Sequence, residues 1–260
     1  MGNAHLKLSL YNNRKILTNK KMLFNHDIQL PPRRVQLPQY GETIENKGKK
    51  YSIGKQIGSG NFGKVFECSD DWGNELVAKI IMPQKRSYKE VQQEWKEELK
   101  KLLTFRHPNI TYIYDAFEYK DTCYLIIEYC DYTLQDIFKN CDQELRESLI
   151  PYIAKDLLQG IDFIHSIDYV HKDIHPGHVF VRITKSQSTE ENTHFICKIG
   201  DLGISNLENN IDQFNTILAQ WMLPPEFLNS QKFGSINRQV DIYHTGLLLL
   251  SLLLGTTRKV

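Results

Sequence analysis

Gly58, Gly60 and Gly63, within Ile57-Gly58-Ser59-Gly60-Asn61-Phe62-Gly63, follow a Gly-x-Gly-x-x-Gly spacing. Alone, the spacing also fits an ordinary hairpin turn. Here it lies between two strand-like runs, YSIGKQIG and KVFECSD. Those flanks argue against the strand-to-helix turn of a dinucleotide fold and for a hairpin flap whose backbone N–H groups lie over phosphates. Sixteen residues past Gly63, Lys79 stands in the apolar run ELVAKIIM. A lysine in a half-buried strand is usually just solvent-facing, but one that follows a glycine flap at this distance is placed to hold α- and β-phosphates. Its charge then needs a carboxylate partner when no nucleotide is bound. Glu98, nine residues before His107, is the first choice, and Glu94, one turn earlier, is the alternative.

These groups need elements to position them. From Tyr51 onward, five short β-branched and aromatic runs read as strands of a mostly antiparallel sheet. Between the third and fourth, residues 89–104 place Val91, Trp95, Leu99 and Leu102 at spacings of four, four and three, one face of a helix whose other face is charged. Beyond Cys130 the chain turns helical, with TLQDIFKN and then the long amphipathic run SLIPYIAKDLLQGIDFIHSI. Two short strands, HVFVRI and FICKIG, follow, and the run Leu247–Leu254 reads as a buried core helix, far short of the ~20 apolar residues of a membrane span. A strand lobe followed by a helical lobe is an α+β arrangement with a cleft between them.

The most specific segment is HKDIHPGHVF, residues 171–180. An Asp in a loop after an apolar helix is commonly only a cap, but His-x-Asp followed by an apolar strand and then KIGDLG is far rarer. From Tyr51 to the end, the order of flap, VAK, helix with Glu, HPNI, His-x-Asp loop, Asp-Leu-Gly and Pro-Pro-Glu resembles the eukaryotic-type protein kinase family. The resemblance implies a two-lobed fold, 51–130 forming the small lobe and hinge and 131–260 a partial helical lobe, with 1–50 as a basic, flexible extension. It implies ATP with Mg2+ as cofactor and a protein substrate. Asp173 resembles the catalytic base, His171 the residue that positions its loop, Asp201 the magnesium-binding carboxylate and Asp241 the buried helix carboxylate that holds the loop's backbone. Ile127 resembles the back of the adenine pocket, Glu128 and Cys130 the hinge, and Asp131 a ribose contact. Val65 and Ala78 would cover adenine from above and Phe180 would meet it from below. Pro225 and Glu226 resemble the end of the activation segment.

Several positions depart from the family pattern. His178 stands where the family has Asn, a ligand of the second magnesium; an imidazole suits that hard ion poorly, so one-metal chemistry, a shift toward Mn2+ or loss of transfer would follow. His175 replaces the lysine that serine/threonine kinases place beside the transferred phosphate, and Ala219 falls where their Thr contacts it. Lys172 replaces an arginine that pairs with phosphorylated activation segments, so phosphorylation of Ser205 or Thr216 would be a weaker switch. The polar loop 184–194 lengthens the spacing from His178 to Asp201 and reads as a tolerated surface insertion. The family continues with further helices where this sequence stops at Val260, so either the sequence is a fragment, or a partner covers the apolar Leu247–Leu254 face, or the lobe is unstable.

Net charge is +1, which gives no electrostatic argument for nucleic acid or a membrane surface. The first fifty residues carry ten Lys and Arg against three Asp and Glu, a basic leader before an acidic body. Five cysteines, an odd number with no Cys-x-x-Cys pair, suggest neither a disulfide framework nor a zinc site and fit a reducing compartment, cytoplasmic or nuclear. Leu6 breaks the myristoylation pattern that Met1-Gly2 opens. The expected function is ATP-dependent phosphorylation of a protein Ser/Thr hydroxyl; the alternative is a pseudokinase that holds nucleotide and signals by contact.

Overall fold

The computed structural model describes residues 35–59, 63–82, 87–185, 193–202, 206–207 and 222–255. Gly60, Asn61 and Phe62 of the flap, Ser205, Thr216, Ala219 and most of the polar loop lie outside the described residues.

The small lobe is a six-stranded antiparallel sheet in the order β1-β2-β3-β4-β6-β5. Its strands are β1 (Thr43–Asn46), β2 (Lys49–Ser59), β3 (Gly63–Asp70), β4 (Glu75–Ile81), β5 (Ile113–Tyr119) and β6 (Thr122–Glu128). The compact unit begins at Val35, before Tyr51. The reason is local pairing: Thr43–Asn46 runs antiparallel to Lys49–Ser52, Val35 packs on the sheet core, and Gln36 N–H donates to Thr122 Oγ1 (3.0 Å). A Lys-rich composition suggested a leader, but the Asn46-Lys47-Gly48-Lys49 turn, with Lys47 and Gly48 both at positive φ, closes a hairpin.

Helix α1 (Tyr88–Thr104) opens with a capping box: Ser87 Oγ accepts from Glu90 N–H, and Glu90 Oε2 accepts from Ser87 N–H (2.6 Å). Val91 and Leu102 are buried, Trp95 and Leu99 half-buried, and Trp95 Nε1–H donates to Tyr124 O (3.0 Å), fixing the helix against β6. Glu98 lies on this inward side and is itself buried.

The larger lobe is built from α2 (Leu134–Asn140), α3 (Gln143–Ser166), two single-turn helices, α4 (Pro225–Leu228) and α5 (Ser230–Phe233), and α6 (Gln239–Leu254). Strands β9 (Val179–Lys185) and β10 (Thr193–Ile199) pair antiparallel, with β7 (Tyr132–Thr133) on the other side of β9; β8 (Tyr169–Val170) pairs with β11 (Asn206–Leu207). Ile153, Leu157, Ile161 and Ile164 of α3 face the core at helical spacing. Gly160 on that face is required by contact: a Cβ there would lie 2.9 Å from Ile199 Cδ1 and 3.1 Å from Asn109 O. Helix α6 is not buried all round as its composition suggested. Leu248 and Leu252 are in the core, whereas Leu250, Leu253 and Leu254 are exposed.

Strand alternation also corrects one pocket assignment. Side chains at odd positions of β4 face one way and those at even positions the other. Val77 and Lys79 therefore line the cleft, while Ala78 is fully buried in the opposite core with Phe66 and Ile126. Ala78→Leu is accordingly expected to overpack that core, lowering stability by about 1–3 kcal/mol in chemical denaturation; an unchanged denaturation midpoint would contradict the alternation.

Candidate active site

The cleft between the lobes encloses about 430 Å3. Ile57, Gly58, Val65 and Val77 form its roof; Ile127, Glu128 and Cys130 its back; Phe180 and Thr111 its floor; Lys79, Glu98 and Asp201 its polar end. An apolar pocket of this size with convergent charge at one end suits a flat heterocycle carrying phosphates. Ser59 pairs with Lys64 at the flap's base, and Gly63 is paired with Ile81 so closely that a Cβ would meet Ile80 O at 2.6 Å. Gly200, just before Asp201, is equally constrained, since a Cβ would lie 2.6 Å from the Phe180 ring.

At the polar end, Lys79 Nζ contacts Glu98 Oε1 at 2.7 Å and Asp201 Oδ1 at 3.2 Å. Glu98 is thus the partner. Burial works against the Lys79 charge, but Glu98 and then Asp201 outweigh it and hold the ammonium's pKa raised. Burial likewise works against the Asp201 carboxylate, while Lys79 and then His178 pull its pKa down to about 2. Three residues beyond Glu98, Lys101 Nζ donates to Leu202 O (3.1 Å), so α1 holds the Asp-Leu-Gly segment directly through Lys101 and indirectly through the Glu98–Lys79–Asp201 chain. Sequence reading missed Lys101, although the i, i+3 spacing could have pointed to it. Leu202 is fully buried in the core.

The geometry of the His-x-Asp loop starts from Asp241, which is fully buried. Its carboxylate accepts from His171 N–H (2.9 Å), Lys172 N–H (2.7 Å) and His165 Nε2 (2.9 Å). These bonds hold Lys172 in a left-handed conformation, φ 71°, that a long side chain rarely adopts. His171 Nδ1 accepts from Asp173 N–H (3.2 Å), which leaves Nε2–H to donate to Gly200 O (3.0 Å). Buried in this neutral tautomer, His171 has a lowered pKa, chiefly from desolvation. Asp201 is also left-handed, φ 54°, with its carboxylate turned to Lys79 and His178.

His178 occupies the space between the two carboxylates. Its Nδ1 lies 3.1 Å from Asp173 O and 3.2 Å from Asp173 Oδ2, and its Nε2 lies 3.3 Å from Asp201 Oδ2. Burial opposes its charge, but the bond to Asp173 and the field of Asp201 leave its pKa raised. Asp173 is correspondingly lowered: desolvation acts upward, and His178 outweighs it. His175 stacks near His178, with ring centroids 3.8 Å apart, and its Nε2 is 3.9 Å from Asp173 Oδ2. Desolvation, and then His178, depress its pKa to about 4.

At the hinge, Glu128 accepts from Tyr112 N–H (2.7 Å) and pairs with Lys198 (3.0 Å), tying it to the base of β10. Burial raises the Cys130 thiol to about 12. Asp131 lines the cavity, but its Oδ2 already accepts from Ile183 N–H (2.8 Å), so it fastens the hinge to β9. All five cysteines are free, and no helix of the described residues is long and apolar enough to cross a membrane.

A β lobe with a glycine flap and a carboxylate-paired lysine, facing a helical lobe that presents a His-x-Asp loop and a second carboxylate, defines a two-lobed phosphotransferase-type domain. The protein kinase domain family matches residues 51–258, and the chain belongs to that family. It is 30% identical over 213 residues to serine/threonine-protein kinase PLK2 of Mus musculus, covering 80% of this chain and 29% of that protein. Cyclin-dependent kinase-like 4 of Mus musculus is 27% identical over 209 residues, covering 80% of this chain and 57% of its own length. The cell cycle serine/threonine-protein kinase CDC5/MSD2 of Saccharomyces cerevisiae is 26% identical over 215 residues, 82% of this chain and 29% of that protein. The chain thus spans less than a third of PLK2 and CDC5/MSD2.

His175 gives the site a pH signature. Its pKa falls from 6.5 to about 4 in the folded protein, so between those values the unfolded chain binds the extra proton. Its contribution therefore raises stability with pH across this window and is lost on acidification. His175→Gln should flatten the fall in unfolding free energy between pH 6.5 and about 4, measured by denaturant titration; identical slopes in both proteins would contradict the burial of a neutral imidazole.

Proposed function

We propose that this domain transfers the γ-phosphate of ATP to a Ser or Thr hydroxyl of a protein, using Lys79, Glu98, Asp173 and Asp201. The observation that carries the reading is the closed Lys79–Glu98 and Lys79–Asp201 pairing beside a cavity of heterocycle size. The names of the relatives, all serine/threonine or cyclin-dependent-like kinases, support the acceptor class.

Lys79 would bind the α- and β-phosphates, with Glu98 fixing its position. Adenine would sit between Val65 and Val77 above and Phe180 below, its edge toward the backbone of Glu128 and Cys130. Asp201 offers oxygen ligands that fit one Mg2+; His178, presenting ring nitrogens at the other side, does not fit a second. Bound magnesium would supply charge neutralisation on the phosphates. In the transfer, the acceptor hydroxyl oxygen forms a bond to the γ-phosphorus, the bond to the β,γ-bridging oxygen breaks, ADP leaves, and Asp173 takes the hydroxyl proton. With its pKa lowered, Asp173 is a weak base at the outset, so its part is to orient the hydroxyl and receive the proton late. His175 would offer its Nε2 near the transferred group in place of a lysine.

A second reading, a nucleotide-binding module without transfer, draws on His178, which ties up both Asp173 and Asp201. ADP release and labelling of a Ser/Thr protein substrate, with magnesium and then with manganese, separate the two. Asp173→Asn should lose about 10²–10⁴-fold in turnover, and His178→Asn should raise the magnesium-supported rate. Turnover indifferent to Asp173→Asn would overturn the transfer reading.

A further inference from the structure

The loop that carries Asp173 places two imidazoles and a carboxylate together, a donor set unlike that of a magnesium site. His178 Nδ1 and His175 Nε2 lie 3.2 Å and 3.9 Å from the same oxygen, Asp173 Oδ2. Donor atoms of the three side chains can be chosen within 4.8 Å of one another, and the residues are half-buried. Zinc held by nitrogen and oxygen ligands at about 2.0–2.2 Å in a tetrahedron needs donors about 3.4 Å apart, close to the 3.2 Å and 3.9 Å at which the two imidazoles stand from Asp173 Oδ2. Two imidazoles and one carboxylate suit a borderline-soft ion, whereas magnesium keeps to oxygen.

A second feature points the same way. A metal-binding histidine characteristically donates its other ring N–H to a carboxylate, which fixes its tautomer and orientation. His178 can take that arrangement once Nδ1 gives up the proton it donates to Asp173 O (3.1 Å), because its Nε2 is 3.3 Å from Asp201 Oδ2 and can carry the proton there. His175 and His178 are both on the catalytic loop, which Asp241 anchors through two backbone N–H groups, so the donors are presented by a fixed scaffold. Coordination through His175 Nε2 would exchange one bond, because its Nδ1 accepts from Gly177 N–H (3.0 Å) and would have to carry the proton instead.

We propose that Asp173, His175 and His178 form a binding site for a divalent transition-metal ion of the zinc class, with the fourth position open to water or a phosphate oxygen. An ion there uses the carboxylate that the proposed transfer needs, so zinc would act as an inhibitor competing for Asp173. The inference rests on the geometry of the catalytic loop; its inhibitory consequence rests on the proposed function, but binding itself does not.

Binding is therefore measured directly on the full chain, without nucleotide and with millimolar magnesium present, by titrating Zn2+ against a chromophoric chelator. One equivalent is expected, reduced at least tenfold in affinity in both His175→Gln and His178→Asn, with circular dichroism confirming that each variant is folded. Cobalt(II) substitution supplies an independent readout: a d–d spectrum of tetrahedral nitrogen and oxygen ligation is expected. No binding above magnesium background, undiminished zinc affinity in both histidine variants, or a thiolate-to-cobalt charge-transfer band assigning the ion to cysteine would each overturn the proposal. Zinc binding with no detectable phosphate transfer would leave the site standing and remove the kinase reading alone.

Discussion

A buried ammonium held by two carboxylates from different segments organises this protein. Lys79 comes from the central strand β4, Glu98 from helix α1 and Asp201 from the loop after β10. Taking these charges out of water is costly, and removing one partner would leave the others uncompensated. Much of the surrounding structure can be understood as keeping the three in register: the capping box that starts α1, the Trp95 bond to Tyr124 that seats it, and Lys101 reaching Leu202. A ligand whose phosphates take over part of the carboxylates' role would enter a site already charged for it, with little reorganisation at the moment of reaction.

The second organising group is Asp241, which holds the backbone of the catalytic loop from below, while His171 joins that loop to Gly200. This scaffold is complete even though the side chains it presents are unusual. His178 bridges Asp173 and Asp201 with its two ring nitrogens, so an imidazole stands where an oxygen ligand for a metal would otherwise be. Placing histidines on a rigid loop changes the ion preference of a site without disturbing its frame.

Much of this was legible in the sequence. Strand and helix runs follow from period-2 and period-3.6 patterns, and the choice of Glu98 over Glu94 agrees with a helix face whose buried side passes through Val91, Glu98 and Leu102. Where the reading slipped, the cause was local. Ala78 was assigned to the cleft from the VAK motif, but alternation from Lys79 puts Val77 there. The strand Thr43–Asn46 carries too few apolar residues to announce itself, and its pairing with β2 depends on a turn at Lys47 and Gly48. The triangle of Asp173, His175 and His178 depends on rotamers and on how the loop folds back, which spacing alone does not encode. The engagement of Asp131 by Ile183 is a contact between distant segments, equally invisible in one dimension.

In the proposed function, the Lys79 ammonium, set by Glu98 and Asp201, anchors the phosphates of ATP. Equilibrium dialysis of ATP with magnesium against the native chain and folded Lys79→Met tests it most directly. Stoichiometric binding to the native protein is expected, with at least about tenfold weaker binding to the variant, ~1.4 kcal/mol of lost affinity. Equal affinity in the two proteins, or no binding to the native chain, would contradict it.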